Sequence, residues 1–173
     1  MTISYEKYEE ELKLFVSKWN SVYLDEQWKI GKKHTGLYAE LKYLDETDNL
    51  WLHFFIIYSQ SYAVPELWFN VYTPGSIQQR LPIEKAVRAP EFVSKCSEDE
   101  HRFLGIAFFY VDPCRILQAI QDSVKSCDPD YMLKWFMVAS QVTRCRSPIE
   151  LISSSSTSSS DNLSLDQTNQ ERI

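Results

Sequence analysis

Eight consecutive residues, Trp51-Leu52-His53-Phe54-Phe55-Ile56-Ile57-Tyr58, are apolar or aromatic at every position except His53. A segment apolar at odd and even positions alike has no face to offer water, and its aromatic and β-branched content suits an extended chain. It is far shorter than the roughly 20 residues that span a bilayer as a helix. The run is therefore expected to be a central strand covered on both faces, with His53 a packed or hydrogen-bonded core histidine. Neighbouring strands can be read outward from it. Leu37, Ala39, Leu41 and Tyr43 alternate with Tyr38, Glu40 and Lys42, a half-buried pattern with a period of two. The polar stretch 45–49 makes the turn between these two strands. Residues 66–72 form the next strand, closed by a tight turn at Thr73-Pro74-Gly75-Ser76, and 28–33 form a short outer one.

Helices flank this sheet in the reading. Tyr5, Tyr8, Leu12, Phe15 and Trp19 recur at steps of three and four, which places one apolar stripe on a helix over 4–20. Ser4 caps its start, and Glu9 with Lys13 adds a pair one turn apart. A short helix is expected over 82–89, with Pro82 near its first turn and Pro90 ending it. Residues 97–102 read as a solvated loop and 106–111 as a strand. Ile116, Leu117, Ile120 and Val124 mark a helix over 115–126, and Asp128-Pro129 breaks it. A second helix carries Trp135, Phe136 and Val138 over 130–144. The fold class is α+β: an N-terminal helix, a four-stranded antiparallel sheet, a further strand leading into a reactive segment, and two C-terminal helices.

Cys114 lies where the strand 106–111 gives way to a helix, in Tyr110-Val111-Asp112-Pro113-Cys114-Arg115. The proline forces Asp112 into extended geometry, so the strand stops there. A thiol in the first turn of a helix meets free amides and the positive end of the macrodipole, both of which favour thiolate over thiol. The other cysteines compare poorly. Cys96 and Cys127 have acidic neighbours, and Cys145, although between Arg144 and Arg146, sits at the wrong end of a helix. No C-x-x-C pair and no metal-spaced histidine cluster occurs, so a zinc site is not expected.

Two segments together carry a family resemblance. Tyr58-Ser59-Gln60-Ser61-Tyr62-Ala63-Val64-Pro65-Glu66-Leu67-Trp68 matches a Y-S-x-x-Y-x-x-P-x-L-W-type hairpin, and the apolar strand ending in Asp-Pro-Cys follows it. Glu100-His101, Leu104-Gly105 and Phe108-Phe109 precede the cysteine, and Tyr131 and Trp135 follow it. Over roughly residues 50–148 the chain resembles the E2-like conjugating enzymes of autophagy. The resemblance implies a ubiquitin-conjugating-enzyme core and an acyltransferase activity through a thioester on Cys114. It implies three partners: an autophagy E1-like enzyme, a ubiquitin-like modifier (the twelfth of the autophagy series) and an acceptor protein (the fifth), joined at a lysine. Tyr58, Ser59, Tyr62, Asp112 and His101 are its candidate positioning residues. No cofactor is implied, because the E1 consumes the ATP. The family usually has His where this chain has Asp112, a carboxylate that would oppose thiolate formation unless it points away or is offset by Arg115 and the helix start. The contrasting reading is a catalytically silent interaction module on the same fold, with Asp112 the mark of a degenerate site.

A formal net charge of −6 argues against nucleic acid as a partner, which calls for a basic face. The apolar runs are too short for membrane insertion, and the first residues lack the pattern of a signal peptide, so a reducing, cytoplasmic setting is expected. The conjugating domain is placed at 1–152. Residues 153–173, which open with a serine-rich run, bury too little surface to offset ordering and read as a disordered tail.

Overall fold

A computed structural model describes residues 2–153. Helix α1 spans Tyr5–Val22, with the Ser4 side chain accepting a hydrogen bond from the Lys7 amide. The expected stripe is the buried one: Tyr8, Leu12, Phe15 and Trp19 face the sheet. Glu9 accepts from the Tyr5 hydroxyl at 2.8 Å.

Six strands follow: β1 (Lys29–Lys33), β2 (Gly36–Asp45), β3 (Leu50–Ser59), β4 (Val64–Tyr72), β5 (Cys96–Glu100) and β6 (Ala107–Val111). They form one antiparallel sheet in the order β1-β2-β3-β4-β6-β5. The first four are the expected meander, with β3 and its run of buried side chains inside it. The sheet is wider than the four strands expected because β6 pairs with β4 and brings β5 with it. The segment 97–102 was expected to be a solvated loop, but its first four residues are an edge strand. Ser97, Glu98, Asp99 and Glu100 lack the apolar alternation that marks a half-buried strand, and pairing with β6 supplies the order that their own propensity does not.

Between β4 and β5 the chain makes two short helical pieces. These are α2 (Ile83–Ala86), for which Pro82 is the cap residue, and a 3₁₀ helix (Pro90–Lys95) that Pro90 opens instead of ending the previous helix. Helices α3 (Pro113–Ser123) and α4 (Tyr131–Ser140) occupy the expected places but are shorter at their C-terminal ends, and α5 (Ile149–Ser153) follows Pro148. The tail expectation from 154 onward lies outside the described residues.

Strand alternation divides the core. Leu52, Phe54 and Ile56 of β3, with Leu67 and Phe69 of β4, point toward α1 and α4 and join the main cluster around Phe15, Trp19 and Phe136. Phe55, Ile57 and Trp68 point the other way and, with Phe108, form a second, smaller cluster. The β5–β6 connection covers it. His101 and Phe103 fold back over Phe55, with ring centroids 4.4 and 5.6 Å away. His53 borders the same face and hydrogen-bonds Glu40 at 2.8 Å, as expected of a core histidine. No helix among the described residues is long and apolar enough to cross a membrane.

Candidate functional site

Helix α3 begins as its sequence requires. Asp112 is the cap residue in extended geometry, Pro113 fills the first helical position, and Cys114 follows with its side chain exposed. The Asp112 carboxylate is engaged on all sides. Oδ1 accepts from the Cys114 amide at 2.9 Å, and Oδ2 lies 3.3 Å from Arg115 Nε and 3.3 Å from Ser97 Oγ. Its charge is directed at the helix start and a guanidinium, both of which offset it in part.

Arg115 is held in turn by the backbone of the 3₁₀ helix, donating to the Ser94 carbonyl at 2.6 Å, while Lys95 Nζ donates to the Arg115 carbonyl at 3.2 Å. The Asp112 amide donates to the Lys95 carbonyl at 2.9 Å. The start of α3 is thus clasped to the segment entering β5.

Tyr62 lies in the β3–β4 turn and is half-exposed. The neighbouring Cys114 thiol, more than burial, holds its phenol above the ordinary range. A tyrosine held protonated beside a thiol is a hydrogen-bond donor to sulfur and to any oxygen that develops negative charge there. The turn is fixed by the N-terminus: the Ile3 amide donates to the Ala63 carbonyl at 2.9 Å, and Ala63 adopts a left-handed φ of 52°.

The remaining candidates fall away from the sulfur. Tyr58 is buried on the helix side of the sheet between Tyr5 and Tyr8 and donates to the Ile3 carbonyl at 2.7 Å, so it anchors the N-terminus. Ser59 is buried. His101 was expected in a solvated loop but is 1% exposed, and its ring lies among Phe55, Trp68, Phe103 and Phe108. Burial pushes it down to about 4, helped by neighbouring His53 and Arg102. It anchors the loop through its backbone, donating to Ile106 and accepting from Leu104 and Gly105. Asn70 is likewise structural, bridging the Ala107 carbonyl and Arg80 Nε at 2.9 and 2.7 Å.

Two of the three rival thiols are disfavoured. Burial pushes Cys96 up to about 12 and moves Cys145, which is fully buried, up further still. The arginines beside Cys145 point to other duties: Arg146 pairs with Glu26 and Arg144 with Asp48. Cys127 is exposed. Among the described residues no group of acids, cysteines and histidines is arranged to hold a metal. A cleft of about 650 Å³ lies at the other end of β3 from the Tyr62 turn, lined by Lys42, Tyr43, Asp45, Trp51 and Arg146.

Three groups near the site were not among the sequence candidates. Tyr110, two residues before Asp112, pairs with Ser97 across the β5–β6 ladder. Glu66, buried beneath, is paired with Arg102 at 2.7 Å and accepts from Trp68 Nε1 at 3.1 Å. Strand alternation points to Tyr110; for Ser97 only the register of β5 does.

The sequence model of a family described as "Autophagocytosis associated protein, active-site domain" matches residues 40–150, a stretch that includes both the Tyr62 turn and Cys114. The chain is similar to an Arabidopsis thaliana protein named ubiquitin-like-conjugating enzyme ATG10, at 28% identity over 128 residues. That match covers 62% of this chain and 55% of the relative, so the chain spans little more than half the relative's length. It also resembles in fold the solution structures of KmAtg10, with a TM-score of 0.54 and 14% identity, over 83% of this chain and 97% of that one.

Proposed function

This chain belongs to the autophagocytosis-associated active-site-domain family, and on that footing we propose that it is an E2-like conjugating enzyme whose nucleophile is Cys114. The observation that carries the reading is the juxtaposition at one helix start: an exposed thiol in the first turn of α3, a capping Asp112 and the neighbouring Tyr62 phenol.

The chemistry is two acyl transfers. The Cys114 thiolate attacks the thioester carbonyl carbon of a ubiquitin-like modifier carried by an E1-like enzyme. A new C–S bond forms to Cys114, the old one breaks, and the E1 thiolate departs. An acceptor lysine amine then attacks the same carbon. A C–N bond forms, Cys114 leaves as thiolate, and the amine proton passes to water. Cysteine suits both steps because its thiolate attacks well and leaves well. Each step passes through a tetrahedral oxyanion, for which the protonated Tyr62 hydroxyl is the donor in the place where other conjugating enzymes use an asparagine. Asp112 holds the first turn of α3 rigid, and Arg115 offsets its charge.

By the family resemblance, the modifier is the twelfth autophagy modifier and the acceptor the fifth autophagy protein. The ATP is spent by the E1, so this chain needs no cofactor of its own, and the cytoplasm is the setting in which its thiol stays reduced. The conjugating domain is residues 1–152. Reconstitution tests the reading. Purified E1, ATP, modifier, acceptor and this protein should yield an acceptor–modifier product that survives reducing gels. Equal yield without this protein would refute it.

A further inference from the structure

Resting on the assignment of Cys114 as nucleophile, we infer that Ser97 is a positioning residue that keeps the Asp112 carboxylate turned into the helix start and away from the reactive sulfur. Ser97 sits on the edge strand β5 opposite Tyr110 of β6, and its hydroxyl donates to Asp112 Oδ2 at 3.3 Å. A serine hydroxyl has one proton, and here it goes to the carboxylate. Tyr110 is itself fixed by stacking on Trp68, with ring centroids 4.8 Å apart and planes 25° apart.

This bond matters because Asp112 has two options. Turned inward, it caps α3 and shares its charge with Arg115. Rotated about its first side-chain torsion, it would bring its charge toward the thiolate two residues along and repel it. Arg115 restrains Oδ2 from a side chain that is half-exposed, where solvent screens the pair. Ser97 is the restraint on the sheet side, where Asp112 is mostly covered. The charged and titratable groups at the start of α3 are Asp112 and Arg115 themselves, Lys95 from the 3₁₀ helix, Cys96 from β5, Tyr62 from the β3–β4 turn and Tyr110 from β6. Among them Asp112 carries the negative charge, and its orientation is what Ser97 sets.

The test is the rate of Cys114 alkylation by iodoacetamide, followed by intact mass from pH 6.5 to 9.5. The full chain would carry Cys127→Ser to remove the other exposed thiol. Ser97→Ala should slow alkylation at pH 7 by about threefold, equivalent to about half a unit of thiolate titration, while the rates converge at pH 9.5. Ser97→Thr, which keeps the hydroxyl, should restore the parental profile. Superimposable profiles for Ser97→Ala and its parent would overturn the inference. So would a uniform fall at every pH, because that reports changed access and not a changed charge. The readout needs neither E1 nor modifier, so failure of the conjugation reading leaves this result interpretable, and the reverse also holds.

Discussion

Acidification should weaken this fold through His101, by an amount that its surroundings set. The ring is buried among Phe55, Trp68, Phe103 and Phe108, and neither ring nitrogen has a hydrogen-bond partner among the described residues. Burial holds it neutral down to about 4, against 6.5 for a free histidine. The unfolded chain therefore binds a proton that the folded one refuses, and stability present above about pH 6.5 is lost as pH falls toward 4. At pH 5 the unfolded histidine is almost fully protonated and the folded one mostly neutral, so the fall from pH 7 costs about 2 kcal/mol. His101→Leu fills the same apolar cage without a titratable group and without two unpaired nitrogens. It should match or exceed the parent at pH 7 and lack this part of the pH dependence. Urea unfolding of both proteins at pH 7 and pH 5 isolates the effect, because His53 and the carboxylates titrate alike in the two. The difference in unfolding free energy should move by about 2 kcal/mol in favour of the leucine variant. A difference constant with pH would refute the reasoning, since it would mean that the folded ring takes up its proton normally.

Asp112→Ala removes the α3 cap and a partly screened ion pair and should cost about 1–2 kcal/mol in urea unfolding. Asp112→Asn, which keeps the acceptor on the Cys114 amide, should recover most of that loss. Asp112→His should speed Cys114 alkylation at neutral pH by removing the carboxylate, and unchanged rates would show that its charge is already fully offset. Tyr62→Phe removes one exposed hydroxyl and should leave the thermal midpoint unaltered while slowing modifier transfer by about 10²-fold or less, the scale of one oxyanion donor. Equal transfer rates in single-turnover assays would remove Tyr62 from the mechanism. Tyr58→Phe should do the opposite. Loss of its 2.7 Å bond to the Ile3 carbonyl should cost about 1 kcal/mol of stability with single-turnover transfer unchanged.

The meander was legible because its strands announce themselves. β2 alternates and β3 is apolar throughout, and polar residues mark the turns on either side of them. β6 and the start of α3 were legible from Pro113, which ends one element and opens the next. β5 was hidden because an exposed edge strand of serine and acids owes its order to pairing with β6, and local sequence carries no trace of a partner. His101 was misplaced for a related reason. Its charged and polar neighbours describe a surface loop, whereas the hairpin returns over Phe55 and buries the ring. At the site, Cys114 and Asp112 could be found because their roles are local to one helix turn. Tyr62 was a candidate from the family pattern, but its nearness to Cys114 depends on tertiary structure that brings the β3–β4 turn to the start of α3. Ser97 depends on strand register, which the sequence of β5 does not specify.

The central claim is that one thiol, Cys114, carries the modifier. A variant with Cys96, Cys127 and Cys145 all replaced by alanine, incubated with E1, ATP and modifier, should still form an adduct that is cleaved by thiol reductant. The single variant Cys114→Ser should form only an adduct that resists it, an oxyester. A reductant-sensitive adduct on Cys114→Ser would contradict the account and move the nucleophile to another cysteine.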